Sequence, residues 1–260
     1  MTLITAIFSV LFGLAFGSFL NVCISRLPRH QSIVRPPSYC PNCKNFILTR
    51  DNIPFLSWFL LRGHCRFCRW PIPRRYPLVE LGTAALFLLI YLVFGLSFEA
   101  AGMAMLCLLL LGLAVMDAET MLLPDTFTLP GIASGILYSG LIGGWRTAGW
   151  SFLYALGAAV LILLIRGIYW LVRRREGMGL GDAKLFAMIA AWLGPWRSLL
   201  VLFLGVITAA IFGLAWLARA KKAKGLKFAP IPFGSFLCAA GLYAIFFGQP
   251  TLKWYMQFFR

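Results

Sequence analysis

Charge is what this sequence has least of. Of its 260 residues only 12% are charged, eight are acidic and two are histidine. Soluble domains carry roughly 25% charged residues, and one of this length could not cover its surface with so few. Intrinsic disorder is excluded as well, because disordered chains are poor in apolar residues, whereas 61% of this chain is hydrophobic. No H-E-x-x-H sequence occurs, which removes the metalloprotease pattern of two histidines on one helix face. No Ser-His-Asp or Cys-His set is evident either. Long apolar runs without strand-like alternation leave one class, an all-α polytopic membrane protein.

Eight apolar spans are expected, each close to the ~20 residues that cross a bilayer. They fall at about 3–23, 78–95, 99–116, 126–142, 149–171, 183–194, 198–218 and 231–248. The sixth is the weakest, being short and ending at Gly194-Pro195. The first is not read as a cleavable signal peptide. No basic residue precedes it, the first being Arg26, and it exceeds a signal core of about 7 to 15 residues.

The net charge is +16 and it is unevenly spread. Ten Lys or Arg lie in 24–77. Further clusters are Arg173, Arg174, Arg175 and Lys184, then Arg219, Lys221, Lys222, Lys224 and Lys227. Short loops between them hold only Arg146 and Arg197. The positive-inside bias puts 24–77, 117–125, 173–182 and 219–230 in the cytosol and both chain ends outside. Nucleic acid is not the expected partner, because no basic segment stands apart from the spans. The partition expected is a first transmembrane helix (1–23), a cytosolic cysteine-bearing segment (24–77) and a seven-helix membrane domain (78–260). The middle segment is too short and too polar to build a large core, so it needs a metal or disulfides.

Four of the seven cysteines form two C-x-x-C pairs, Cys40 with Cys43 and Cys65 with Cys68, with 21 residues between the pairs. Each tight turn points two sulfurs at one ion, and two turns complete a tetrahedron, the pattern of a structural zinc site. A cytosolic setting favours metal over disulfide. Redox-active pairs and unliganded thiols are the alternatives. His64 could in principle be a ligand, but four cysteines already fill the site, so it reads as a basic surface residue; His30 is given no role, and Cys23, Cys107 and Cys238 read as small buried hydrophobes.

With eight acids, each is informative. Asp51 and Glu176 read as surface charges, and Glu99 is given no role. Glu80 reads as a helix N-terminal charge favoured by the dipole, with a functional role as the alternative. Asp117 closes an apolar span, where a carboxylate is costly and opposes the macrodipole. Asp125 follows Pro124 and suits an N-cap, while Glu119 is explained by solvation. Asp182 ends Gly177-Met178-Gly179-Leu180-Gly181-Asp182, a glycine-rich turn into the sixth span. Asp117 and Asp182 thus face the same side of the membrane. If their helix ends meet, the two carboxyls cannot both ionise easily and share a proton. One can then activate water while the other polarises a scissile amide carbonyl.

Four stretches resemble the type IV prepilin peptidases, or prepilin leader peptidase/N-methyltransferases. They are Gly17-Ser18-Phe19-Leu20-Asn21-Val22 through Arg26-Leu27-Pro28; the cysteine pairs with Arg75-Tyr76-Pro77-Leu78-Val79-Glu80; Asp117 to Asp125, ending in Leu123-Pro124-Asp125; and Gly179-Leu180-Gly181-Asp182. The resemblance implies an eight-helix aspartyl protease of the GxGD type in the bacterial inner membrane, cutting basic leaders from prepilins or type II secretion pseudopilins at the cytosolic face. It implies catalytic roles for Asp117 and Asp182 and metal ligation by Cys40, Cys43, Cys65 and Cys68. It also implies N-methylation with S-adenosylmethionine, associated with the cysteine-bearing segment. The family often reads Pro-Phe-Gly-Pro where this chain has Pro232-Phe233-Gly234-Ser235. The loop 117–125, acidic and free of basic residues, suits a basic leader, with Glu119 and Asp125 as substrate-binding candidates. The alternatives are a peptidase without methyl transfer, a transporter using the aspartates as a relay, and a non-catalytic zinc-bearing scaffold.

Overall fold

The computed structural model describes residues 2–174, 178–222 and 231–258. Arg175, Glu176, Gly177, Lys224 and Lys227 lie outside the described residues, as do the side chains of Lys221 and Lys222. The helices are α1 (Leu3–Arg26), α2 (Leu56–Leu60), α3 (Arg75–Phe94), α4 (Phe98–Thr120), α5 (Asp125–Gly143), α6 (Trp145–Arg173), α7 (Leu180–Lys222) and α8 (Phe233–Gln257). All but α2 are long and apolar enough to cross a membrane, seven candidates among the described residues. The chain is a multi-pass membrane protein. It divides into two compact units, Met1–Gly112 and Leu113–Arg260.

In the first unit α1 and α3 run antiparallel in close register. The hydroxyls of Thr5 and Tyr91 hydrogen-bond, and Asn21 Nδ2 donates to the Tyr76 carbonyl at 3.0 Å. Between these ends the backbones nearly touch. A Cβ on Gly13 would stand 2.6 Å from Ala84 Cα, and one on Gly17 would stand 2.7 Å from Glu80 Cα. Small residues at such a crossing let dispersion contacts replace the hydrophobic drive that lipid does not provide. Glu80 is the sixth residue of α3 and buried, so the helix-end reading is corrected. Its Oε2 accepts the Phe55 N–H at 2.6 Å, and Ser18 hydrogen-bonds it as well. A buried carboxylate needs such donors, and here they tie residues 49–60 to the α1–α3 pair.

In the second unit α5, α6 and the first half of α7 form one layer. Ser151 Oγ donates to the Ala191 carbonyl at 2.8 Å, and Trp192 Nε1 donates to the Gly131 carbonyl at 2.9 Å. The spans expected at 183–194 and 198–218 belong to one 43-residue element, α7, broken at Gly194 with φ 75° and ψ 178°. Only glycine adopts this conformation at little cost. Leu202, beyond the break, packs on the cluster of Ala183, Phe186 and Ala190 before it. In an unbroken helix Leu202 would stand about 24 Å past Phe186. The chain therefore doubles back at Gly194, and α7 supplies two of the eight expected passes. Its first pass is apolar on every side, with residues 185–193 all buried, as a helix surrounded by protein requires.

Exposed tryptophans mark the membrane levels of this unit. Trp145 and Trp196 stand at one end, Trp170 and Trp216 at the other. Along α6, Trp145 and Trp170 are about 37 Å apart at 1.5 Å per residue, which brackets a hydrocarbon core of about 30 Å.

Replacing Gly17 by valine should force α1 and α3 apart and cost about 1–3 kcal/mol, as overpacking does. A lowered unfolding midpoint of the detergent-solubilised protein is the expected readout. An unchanged midpoint would contradict the tight crossing.

Candidate active site and metal centre

Three helix ends in the second unit converge on two carboxyls. Asp117 lies in the last turn of α4, which continues to Thr120, so the loop expected at 117–125 shrinks to residues 121–124. Asp117 and Asp182 are only 5% and 8% exposed. Asp182 is the third residue of α7, and its Oδ2 accepts the Gly179 N–H at 3.1 Å. This is the side-chain-to-backbone half of a capping box, with Gly179 at the N-cap. Asp117 is held from another helix. Its Oδ2 accepts the Ser235 N–H at 2.6 Å and lies 3.0 Å from the Ser235 hydroxyl. Ser235 is the third residue of α8, so Asp117 takes up an amide of the α8 N-terminus. The positive end of α8 offsets the unfavourable place of Asp117 at the C-terminal end of α4.

Leu123 and two glycines set the closeness of approach. A Cβ on Gly181 would meet Leu123 Cβ at 3.0 Å, and a Cβ on Gly234 would meet both Leu123 Cδ1 and Asp117 Oδ2 at 3.0 Å. The starts of α7 and α8 therefore close on one leucine. Asp117 lies near enough to Asp182 for their charges to act on each other. Cys238, fully buried, lies within electrostatic reach of both. Such a pair can take a proton from water at one carboxyl and give a proton to a carbonyl at the other.

The other acids fall elsewhere. Glu119 is exposed on α4, beyond Asp117. Asp125 makes no side-chain cap hydrogen bond, which corrects the N-cap expectation; it pairs instead with Lys184 Nζ at 2.6 Å. Lys184 lies on α7 beside Asp182, and the attraction of an opposite charge outcompetes a local amide. Asp51 is not a free surface charge: its oxygens take Arg66 Nε at 2.7 Å and Nη2 at 2.5 Å. Arg66, by hydrogen bond and charge, holds the Asp51 carboxyl below the usual carboxylate range. Sequence reasoning gave Leu123 and Cys238 no place in the site and did not find the donors of Ser235. The glycine before Ser235 and the departure from Pro-Phe-Gly-Pro were the available signals.

The first unit holds the four paired cysteines as two equivalent knuckles, offset by 25 residues along the chain. Cys40 N–H donates to the Asn45 carbonyl and Lys44 N–H to the Cys40 carbonyl; Cys65 N–H donates to the Trp70 carbonyl and Arg69 N–H to the Cys65 carbonyl. Isolated bridges close each turn, Tyr39 with Phe46 and His64 with Pro71. The four sulfurs lie within 4.8 Å of one another and can hold a metal ion. Cys40 and Cys68 Sγ are 3.7 Å apart, and Cys43 and Cys65 Sγ are 4.0 Å apart. A disulfide requires about 2.05 Å. The Trp70 amide and Asn42 draw the Cys68 thiol down to about 6, aided by neighbouring thiols. At Cys43 the Asn45 amide pulls the other way, but burial and the other three cysteines push the thiol up to about 11. His64 is exposed, its Nδ1 against the Arg62 carbonyl, and lies outside the four-sulfur cluster. Cys23, Cys107 and Cys238 are buried, as expected of small hydrophobes.

Fold and site together define a polytopic membrane protein with a paired-carboxyl centre and a separate four-thiol cluster. Residues 11–94 match the bacterial peptidase A24 N-terminal domain, and residues 104–214 match the type IV leader peptidase family. A prepilin leader peptidase/N-methyltransferase of Aeromonas hydrophila is 36% identical over 96% of this chain and 93% of its own length. One of Stutzerimonas stutzeri is 37% identical over 97% and 94%, and one of Myxococcus xanthus is 43% identical over 76% and 59%. No solved structure matches. The chain belongs to the type IV leader peptidase family.

Thiolates bind metal only after losing their protons. Metal content should therefore approach one ion per cluster near neutral pH, fall on acidification, and fall in Cys65→Ser, all read by elemental analysis. Full metal content in Cys65→Ser would exclude a four-thiolate site.

Proposed function

We propose that this protein cleaves the basic leader from prepilins or pseudopilins, with Asp117 and Asp182 as the catalytic pair, and then methylates the new N-terminal amine. The observation that carries the cleavage reading is the meeting of two buried carboxyls at the end of one membrane unit. A water between them loses a proton to the ionised carboxyl as its oxygen attacks the scissile carbonyl carbon, while the other carboxyl protonates the carbonyl oxygen. The tetrahedral species then collapses: the C–N bond breaks, the leaving amine takes the proton first abstracted, and one hydroxyl returns its proton to the carboxyl that had given one. In a site shielded from bulk water these transfers cost little reorganisation.

Glu119, exposed two residues beyond Asp117 on α4, is the acid we assign to the basic leader. Asp125 acts through Lys184, offsetting a cation that would repel it. The basic loops support a setting in the bacterial inner membrane, with the centre on the cytosolic side and both termini periplasmic. Residues 24–77 are the methylation-associated region in this reading, and the membrane domain 78–260 holds the peptidase centre.

Zinc suits the thiol cluster. With Zn–S near 2.3 Å, a tetrahedral site places its sulfurs about 3.8 Å apart, and the pairs here stand at 3.7 and 4.0 Å. Four thiolates fill the coordination sphere, so the role is structural. S-adenosylmethionine would supply an electrophilic methyl group. Two surface hollows, one lined by Trp145, Arg146 and Leu153 and the other by Ala133, Leu137 and Ala148, offer no carboxylate for its amine or ribose. Methylation rests on the relatives' names.

Asp117→Asn and Asp182→Asn should each lower prepilin cleavage by about a thousand-fold or more while leaving methyl transfer to a pre-cleaved pilin intact. Normal cleavage by either variant overturns the assignment; absence of methyl transfer in the unmodified protein reduces the function to the peptidase. Glu119→Lys should raise KM for a basic-leader substrate about three- to ten-fold, as charge reversal at a rim does. An unchanged KM removes Glu119 from the leader site.

A further inference from the structure

Ser235 gives Asp117 Oδ2 two donors at once. The amide N–H stands at 2.6 Å and the hydroxyl at 3.0 Å, and the same hydroxyl lies 2.8 Å from the Ala114 carbonyl. A serine hydroxyl has one proton to donate and lone pairs to accept with. Its proton therefore has two possible acceptors, one on the carboxyl and one on the backbone of the same helix, α4.

We infer that Ser235 is the positioning residue of the Asp117 carboxyl: its amide and hydroxyl commit Oδ2 to the start of α8 and leave Oδ1 to the reacting water. This rests on the catalytic reading of Asp117 above. When Asp117 is a carboxylate, the hydroxyl proton points at Oδ2 and gives a charge-assisted bond. A proton taken from water settles on Oδ1, the oxygen that faces it; Oδ2 keeps the Ser235 amide, and the weaker acceptor it then presents frees the hydroxyl proton to turn to the Ala114 carbonyl.

The geometry around the contact leaves Oδ2 little alternative. The glycine at position 234 keeps its neighbourhood open for the carboxyl, since a Cβ there would stand 3.0 Å from Oδ2 and 3.1 Å from Cγ. The Ser235 side chain lies on the first turn of α8, where amides have no partner within their own helix. A proline at this place, as in Pro-Phe-Gly-Pro, would supply neither donor, although the first turn of a helix tolerates it. The double contact is therefore a property of the serine in this chain.

The test uses the full chain reconstituted in lipid nanodiscs, with a prepilin substrate, and separates kcat from KM. Ser235→Ala keeps the amide and loses the hydroxyl; kcat should fall about ten-fold with KM within two-fold, because a hydrogen bond to a charged group is lost. Ser235→Thr keeps the hydroxyl and should restore kcat to within about three-fold of the parent. Ser235→Pro loses both donors and should turn over no faster than Ser235→Ala. An unchanged kcat in Ser235→Ala, a loss carried by KM alone, or a threonine variant as slow as alanine would each overturn the inference. Asp117→Asn measured alongside distinguishes the two levels: cleavage that survives in Asp117→Asn overturns the catalytic pair and this role with it, whereas cleavage lost there but normal in Ser235→Ala overturns only the role of Ser235.

Discussion

Burying two carboxyls where membrane helices end is the constraint around which the second unit is arranged. A carboxylate out of water needs donors, and each aspartate obtains a backbone amide from a helix start: Asp182 from Gly179 on its own helix, Asp117 from Ser235 on α8. Helix starts are the parts of a membrane protein that have amides to spare. The site is therefore built where α4 ends and α7 and α8 begin. Leu123, with Gly181 and Gly234 beside it, sets how closely those ends approach.

The break at Gly194 belongs to the same arrangement. The start of α7 must sit among protein to hold Asp182, and its first pass is accordingly apolar on every side and buried. A pass of this length spans less than the hydrocarbon core. The second pass then returns antiparallel to α8, with Arg197 beside Gly248 and Gly205 beside Leu237.

The first unit solves a different problem. Residues 27–74 are too few to make a core, and two C-x-x-C knuckles of identical internal bonding hold them instead. Asp51 and Arg66 brace the second knuckle. Glu80 links residues 49–60 to α3 through the Phe55 amide. The close glycine crossing of α1 on α3 supplies the rigid base for these contacts.

Much of this was legible in the chain itself. Runs near bilayer length announced the helices, because a lipid-facing helix must be apolar over its whole span. Paired cysteines announced a four-thiol cluster able to hold a metal ion, because thiols three positions apart in a tight turn point the same way. Asp117 stood out as a carboxylate in a place where stability alone would not put one, and its pairing with Asp182 followed from charge alternation. What the chain could not disclose were partners set by distance in space. Asp125 and Lys184 lie 59 residues apart, and Ser235 and Asp117 lie 118 apart. No local rule relates such positions: the approach of α7 to α5 made Asp125 an ion-pair member, the crossing of α1 on α3 and the Phe55 amide made Glu80 a buried anchor, and the approach of α8 to α4 made Ser235 the donor to Asp117. The sequence by itself determined the membrane class, the helix complement and the chemistry of the acids and thiols, because those depend on composition and short spacings; the tertiary structure alone decided which amide, hydroxyl or cation meets each acid, because hydrogen bonds and ion pairs form only between groups brought within about 3 Å.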